Sequence, residues 1–237
     1  MSDLCLSAVS APYHRLRNPG GDGSVASYMR FFVVFLLFAT ACGPIEATSD
    51  FRADSVRNGP LQISMSLYVV DDADGRPESS LSSNRSLAEV SEIAERMKTI
   101  WDQAGIDLVI ETVARIEASA DVVAALGAGD TSSFINRAAS GAISIPAPGT
   151  INGFYVARIG TANGMTPFGT RLFFVADNPS VDDERVSSHE IGHILGLHHA
   201  LDDANRLMFS GTNGTDLTDQ EITVARYSVS GVLDGRR

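Results

Sequence analysis

Four of the chain's five histidines fall within residues 189–199, which read HEIGHILGLHH. His189 and His193 are four residues apart, so on a helix they project from the same face, and two imidazoles placed in this way can bind one zinc ion. Gly196 allows the chain to leave the helix with a positive φ, which brings His199 back as a third ligand. The spacing predicts a single zinc site with three protein ligands and a fourth position open to water.

Glu190 stands directly after the first histidine of this segment. An open metal position is typical of catalytic zinc, and a carboxylate beside the first ligand is placed to act as the general base that takes a proton from water. On the residues alone two alternatives stay open. A histidine on an apolar helix face is commonly a hydrogen-bonded core residue, and HExxH also occurs in proteins without zinc. His198 is an alternative third ligand, although the spacing favours His199.

The elements that must position these residues begin near Leu61. Apolar residues alternate along 61–70, which predicts a half-buried strand. Ser86 and Glu89 form a capping box, and apolar residues then recur at helical spacing until Gly105, which predicts a long amphipathic helix packed on a sheet. The β-branched segment 106–116 predicts a second strand.

The remaining elements are predicted from weaker patterns. The Ala, Gly and Ser-rich segment 118–148 predicts two short helices, and 153–159 and 171–176 predict two strands separated by a glycine-containing loop. Thr218 and Glu221 form a second capping box, which predicts a terminal helix to about Tyr227. The acidic turn 71–75 lacks an acid at position 70, so it favours a solvated turn over a calcium loop, and structural Ca²⁺ is unsupported.

The N-terminal residues predict export. Arg30 is followed by the uninterrupted apolar run 31–41, which is too short to span a bilayer and typical of a secretory signal. Residues 39–42 (ATAC) resemble the lipobox of bacterial lipoproteins, so Cys42 is the predicted lipidation site; Leu is usual where Ala39 stands, and ordinary cleavage with secretion stays open. A buried helix is disfavoured because it would show a polar face.

The predicted organisation therefore has four parts. Residues 1–28 are polar and predicted to be a non-native extension ahead of a start at Met29, 29–41 a signal peptide, 42–60 the lipidated cysteine with a flexible tether, and 61–237 the catalytic domain. Membrane contact is expected only through the lipid on Cys42. Removing residues 1–41 leaves 18 − 3 = 15 basic and 29 − 2 = 27 acidic residues, so a net charge of −12 argues against a nucleic-acid partner. The exported part has no cysteine pair for a disulfide.

The motif HExxHxxGxxH, followed nine residues after His199 by Met208 in NRLMF, resembles that of the metzincin clan of zinc metallopeptidases, with its consensus helix and Met-turn. The segments IWDQAGI and LTDQEITVAR resemble the matrixin catalytic domain. The resemblance implies an α+β fold with a twisted mixed sheet, a long packing helix, a zinc-binding helix, a Met-turn in which Met208 forms the floor below the metal, and a C-terminal helix. The sequence departs from the clan at Ala200, where Asp, Glu, Ser or Pro is usual, and at Ser210, where astacins and serralysins place a Tyr ligand.

This resemblance implies a zinc-dependent endopeptidase in which a zinc-bound water attacks the peptide bond and Glu190 is the general base. It also implies that a peptide substrate pairs with an edge strand just before the zinc helix, here assigned to Arg171, Leu172, Phe173, Phe174, Val175 and Ala176. One alternative is a zinc-binding surface lipoprotein without turnover, an adhesin or scaffold, against which Glu190 argues because zinc retention does not need it. Zinc-dependent hydrolysis of a non-peptide substrate is another.

Overall fold

The computed structural model describes residues 59, 61–74, 80–146 and 149–233. The predicted signal segment, Cys42 and most of the tether lie outside these residues. Five strands and five helices follow one another along the described chain: β1 (Leu61–Asp72), α1 (Leu87–Asp102), β2 (Ile106–Ala118), α2 (Ala120–Gly127), α3 (Ser132–Ala139), β3 (Ile151–Val156), β4 (Gly164–Met165), β5 (Leu172–Ala176), α4 (Asp183–Ile194) and α5 (Asp219–Leu233). None of the helices within these ranges is long and apolar enough to cross a membrane.

The strands form one mixed sheet in the order β2-β1-β3-β5-β4. The pairs β1–β2, β1–β3 and β3–β5 are parallel, and only the short β4 runs antiparallel, pairing with Phe174 and Val175 of β5. The structure corrects the prediction that residues 171–176 form the edge strand. Leu172–Ala176 is β5, which lies between β3 and β4, and Arg171 precedes it. The edge strand on this side of the sheet is β4, which is too short to produce an alternating pattern, and β2 forms the opposite edge.

Both faces of the sheet are buried, which explains why β1 differs from the predicted half-buried strand. Residues such as Met65 and Leu67 pack with α1, α4 and α5 in one cluster, whereas Tyr68 and Val70 pack with α2 and α3 in another. A parallel sheet is typically covered by helices on both sides, so its strands lose the apolar and polar alternation. The described chain is thus α+β, with the helix that carries the histidines on the α1 face.

The two capping boxes place the helix starts as predicted. Ser86 Oγ accepts a hydrogen bond from the backbone of Glu89, whose carboxylate accepts one from the backbone of Ser86. Thr218 and Glu221 make the same reciprocal pair before α5. Element ends are less accurate: β2 continues to Ala118, β3 lies at Ile151–Val156 instead of 153–159, and α5 extends to Leu233.

Candidate metal centre

Helix α4 carries the first two histidines and ends as predicted. Asp183 and Glu184 lie in its first turn, where a negative charge complements the helix dipole. After Leu195, Gly196 adopts φ +87°, and the backbone N–H of Leu197 donates to the carbonyl of Gly192 at 2.9 Å. This left-handed glycine closes the helix and turns the chain back toward it.

The turn brings three imidazoles together. One ring nitrogen from each of His189, His193 and His199 lies within 4.8 Å of the other two, and the Nε2 atoms of His193 and His199 are 3.1 Å apart. Within the ranges that the structure describes, these three form the one cluster of three or more potential metal ligands. His198 is outside the cluster, so the geometry follows the register that the spacing favours.

The cluster fits a zinc ion. Zinc–imidazole bonds of about 2.0–2.1 Å in a tetrahedron place two ligand nitrogens about 3.4 Å apart, close to the distance between His193 and His199. His189 Nδ1 lies 2.8 Å from the carbonyl oxygen of Leu207, and His193 Nδ1 lies 3.0 Å from that of Leu197. Each Nδ1 therefore donates its hydrogen to a carbonyl, which leaves the Nε2 lone pair for a metal.

Burial favours the neutral form of His189 and His193, which is the form that binds a metal. It lowers the pKa of His189 to about 4, although the carbonyl of Leu207 opposes the shift. Burial also lowers the pKa of His193. His199 is exposed, so the cluster lies at the end of a buried helix with one side open to solvent.

Glu190 is 6% exposed, and its carboxylate is held by one hydroxyl. Thr166 Oγ1 donates to Glu190 Oε2 at 2.8 Å and lies 2.9 Å from the backbone oxygen of the same residue. Burial raises the pKa of Glu190 to about 7, while the Thr166 hydrogen bond and the positive charge of Arg185 oppose the shift. A pKa near neutrality suits a group that accepts and returns a proton.

Edge strand β4 packs directly on this carboxylate. A Cβ atom on Gly164 would lie 2.8 Å from Glu190 Oε1 and 2.7 Å from the side chain of Val186. No sequence pattern indicates this contact, because Thr166 and Gly164 stand 24 and 26 residues before Glu190 in a predicted loop. Only the pairing of β4 with β5 brings them to the helix.

Met208 packs against the turn of α4 that separates the two histidines. It is fully buried, and its backbone carbonyl accepts a hydrogen bond from Ala200 at 2.9 Å. A Cβ atom on Gly192 would lie 2.5 Å from Met208 Sδ, a distance that real contacts do not show. The sulfur thus occupies the space that the glycine leaves.

We expect Gly192→Ala to lower the free energy of unfolding of the zinc-free chain by about 1–3 kcal/mol, which is typical of overpacking. This loss is expected even though alanine is favoured over glycine in helices by about 1 kcal/mol. Urea unfolding measures it. The control is a double-mutant cycle with Met208→Ala, in which the double variant should lose less than the sum of the two single losses. Additive losses would contradict the contact.

The zinc-free chain should also show two opposing responses to pH. Because the folded pKa of His189 is depressed, its contribution to stability is present above about pH 6.5 and is lost toward about pH 4. Because the folded pKa of Glu190 is raised, its contribution is present below about pH 4.5 and is lost as the pH rises toward 7. Glu190→Gln removes the second response, so between pH 7 and pH 5 this variant should lose more stability than the wild type. Urea unfolding at both pH values measures these changes. An equal change in the free energy of unfolding in the wild type and in Glu190→Gln would contradict the assignment.

Comparison with solved structures shows a related fold. The chain resembles archaemetzincin from Methanopyrus kandleri, with 12% sequence identity and a TM-score of 0.50 over 71% of this chain and 96% of that one. It also resembles metalloproteinase-II from Bacteroides fragilis, with 14% identity and a TM-score of 0.43 over 71% of this chain and 53% of that one. A structure described as a chaperone-substrate complex has 14% sequence identity and a TM-score of 0.45 over 73% of this chain and 35% of that one. No protein-family model and no curated protein sequence matches the chain.

The likeness to archaemetzincin concerns the fold. The described chain has the predicted α+β architecture, with a mixed sheet, a long helix packed on it, a histidine-bearing helix and a C-terminal helix, and the likeness agrees with this fold. An identity of 12% assigns no role to an individual residue, so the roles below are argued from the site itself.

Proposed function

We propose that this chain is a zinc-dependent endopeptidase of the metzincin type. The observation that carries the proposal is the cluster of His189, His193 and His199, whose ring nitrogens lie within 4.8 Å of one another, together with a buried Glu190 that directly follows His189 on the same helix. When bound, zinc would supply a Lewis acid that polarises a carbonyl and brings the pKa of water near neutrality. Structural zinc needs no adjacent carboxylate, which is why Glu190 favours catalysis over storage.

Residues of the chain itself would carry out the proton transfer and position the substrate. Glu190 accepts a proton from the water that attacks the peptide carbonyl, and passes it to the leaving amine. Thr166 engages Oε2 of this carboxylate, which leaves Oε1 for the proton. Gly164 keeps the space beside Oε1 clear. We place the backbone of an extended peptide substrate along the outer edge of β4, because an edge strand offers unpaired amide and carbonyl groups.

The proposed location is the bacterial cell envelope. It rests on the sequence of residues 29–42 alone, in which the apolar run is followed by Cys42. A lipid on Cys42 would anchor the catalytic part to a membrane, whereas ordinary cleavage would release it as a secreted protein.

Digestion of a mixed peptide library by the full chain tests the function. We expect mass spectrometry to find internal cleavages that disappear when a chelator removes zinc and return when zinc is restored. Bound zinc without cleavage would favour the binding lipoprotein. Hydrolysis of esters but of no peptide would favour a non-peptide substrate.

A further inference from the structure

Arg185 is a buried cation on the helix that carries the histidines, one turn before His189. It is 4% exposed, and its Nη2 donates to the carbonyl oxygen of Leu207 at 2.8 Å and to that of Phe209. These two carbonyls flank Met208 in the chain. One guanidinium therefore donates hydrogen bonds to the Met-turn on both sides of the methionine.

The carbonyl of Leu207 is also the acceptor for His189. His189 Nδ1 lies 2.8 Å from this oxygen, the same distance as Arg185 Nη2. Residues four apart project from the same helix face, so Arg185 and His189 reach a single backbone oxygen from consecutive turns of α4. The position of that oxygen sets the direction of the hydrogen bond from Nδ1, and with it the orientation of the imidazole ring.

Burial of this guanidinium has an energetic cost that the described contacts do not fully offset. Among the residues that the structure describes, its Nε has no hydrogen-bond acceptor, and the Glu190 carboxylate acts on the guanidinium by its charge without a described ion pair. A buried charge without a paired carboxylate carries a desolvation penalty. An apolar side chain would pack on the Met-turn without that cost, but it would not fix the Leu207 carbonyl.

We propose that Arg185 is a positioning residue of the metal centre, which fixes the Leu207 carbonyl and thereby orients His189 for zinc. The inference rests on the proposed zinc site but not on peptide cleavage. Partners that orient metal-binding histidines typically contribute 10- to 100-fold in metal affinity. Loss of the guanidinium should therefore weaken zinc binding even though Arg185 is not a ligand.

The test uses Arg185→Met in the full chain, with Arg226→Met as the matched control. Arg226 is also buried, and it also donates to backbone carbonyls, those of Ala104 and Gly105 at the junction of α1 and β2. Three quantities are measured: the zinc Kd by chelator competition, the visible spectrum of the cobalt-substituted chain, and the urea unfolding of the zinc-free chain. A purely structural arginine would change only the third.

We expect Arg185→Met to raise the zinc Kd by about 10- to 100-fold and to change the cobalt spectrum. Arg226→Met should lower stability but leave Kd and spectrum as in the wild type. Unchanged zinc affinity in Arg185→Met, or an equal loss in Arg226→Met, would overturn the proposal. If Arg185→Met does not fold, Arg185→Lys decides, because a lysine can donate to the Leu207 carbonyl: its zinc Kd should lie within about 10-fold of the wild type and its cobalt spectrum should stay close to that of the wild type. A folded Arg185→Lys chain with a larger loss of zinc affinity would overturn the proposal.

The outcome is separable from that of the proposed function. A wild-type chain that binds zinc but cleaves no peptide would refute the peptidase and leave the role of Arg185 standing. A wild-type chain that cleaves peptides, together with an Arg185→Met variant of unchanged zinc affinity, would refute only the positioning role.

Discussion

Glu190→Gln is expected to lower kcat/KM for peptide cleavage by about 10²- to 10⁴-fold, which is the contribution of a positioned general base. The substitution keeps the shape of the side chain, and the amide oxygen can still accept the hydrogen bond from Thr166. What it removes is the ability to take a proton from water. Because Glu190 is not a ligand, the zinc content should stay at one ion per chain.

The measurement combines cleavage of one peptide from the library with metal analysis of the same sample. Thr166→Val is a useful companion variant, since it removes a hydrogen bond to the carboxylate but keeps the carboxylate itself. Its loss of activity should be smaller than that of Glu190→Gln. Equal cleavage by wild type and Glu190→Gln would refute the assigned base, and loss of zinc from Glu190→Gln would show that the residue supports the metal instead.

The second large effect is expected at the third ligand. His199→Ala should bind zinc far more weakly than the wild type, whereas the neighbouring His198→Ala should bind it normally, because only His199 lies in the cluster. If zinc binds the folded chain but not the unfolded chain, it stabilises the fold by about 4 kcal/mol at a free zinc concentration a thousandfold above its Kd. The His199 variant should therefore lose the zinc-dependent part of its stability.

Zinc per chain and urea unfolding with and without zinc give both readouts for the pair. Both histidines are exposed, so neither substitution is expected to disturb the core of the zinc-free chain. Loss of zinc from His198→Ala with retention in His199→Ala would reverse the register. Equal zinc retention in both variants would show that neither histidine is the third ligand.

The sequence was most informative where the chemistry is local. The histidine spacing predicted the cluster, Gly196 predicted the turn that closes it, and the capping boxes at Ser86 and Thr218 predicted where two helices begin. Each of these patterns depends on residues within one or two helical turns, so the tertiary structure has little opportunity to override it. The helix that carries His189 and His193, and the loop that turns back toward it, could be predicted for the same reason.

Contacts between distant segments were not predictable in this way. The edge strand was assigned to residues 171–176 because they have a clear strand pattern, whereas the actual edge is the two-residue β4, which has none. Thr166 reaches Glu190 only because β4 pairs with β5. Arg185 lies in the polar segment DDERVSS, in which a buried cation has no sequence signal.

We propose that zinc in the histidine cluster drives hydrolysis of internal peptide bonds. The most direct test of this proposal is the initial rate of peptide cleavage by the zinc-free full chain as zinc is added back, with bound zinc measured at each point. The rate should rise in proportion to bound zinc and reach its plateau at one ion per chain. A rate that is independent of zinc, or no cleavage at one bound ion per chain, would contradict the proposal.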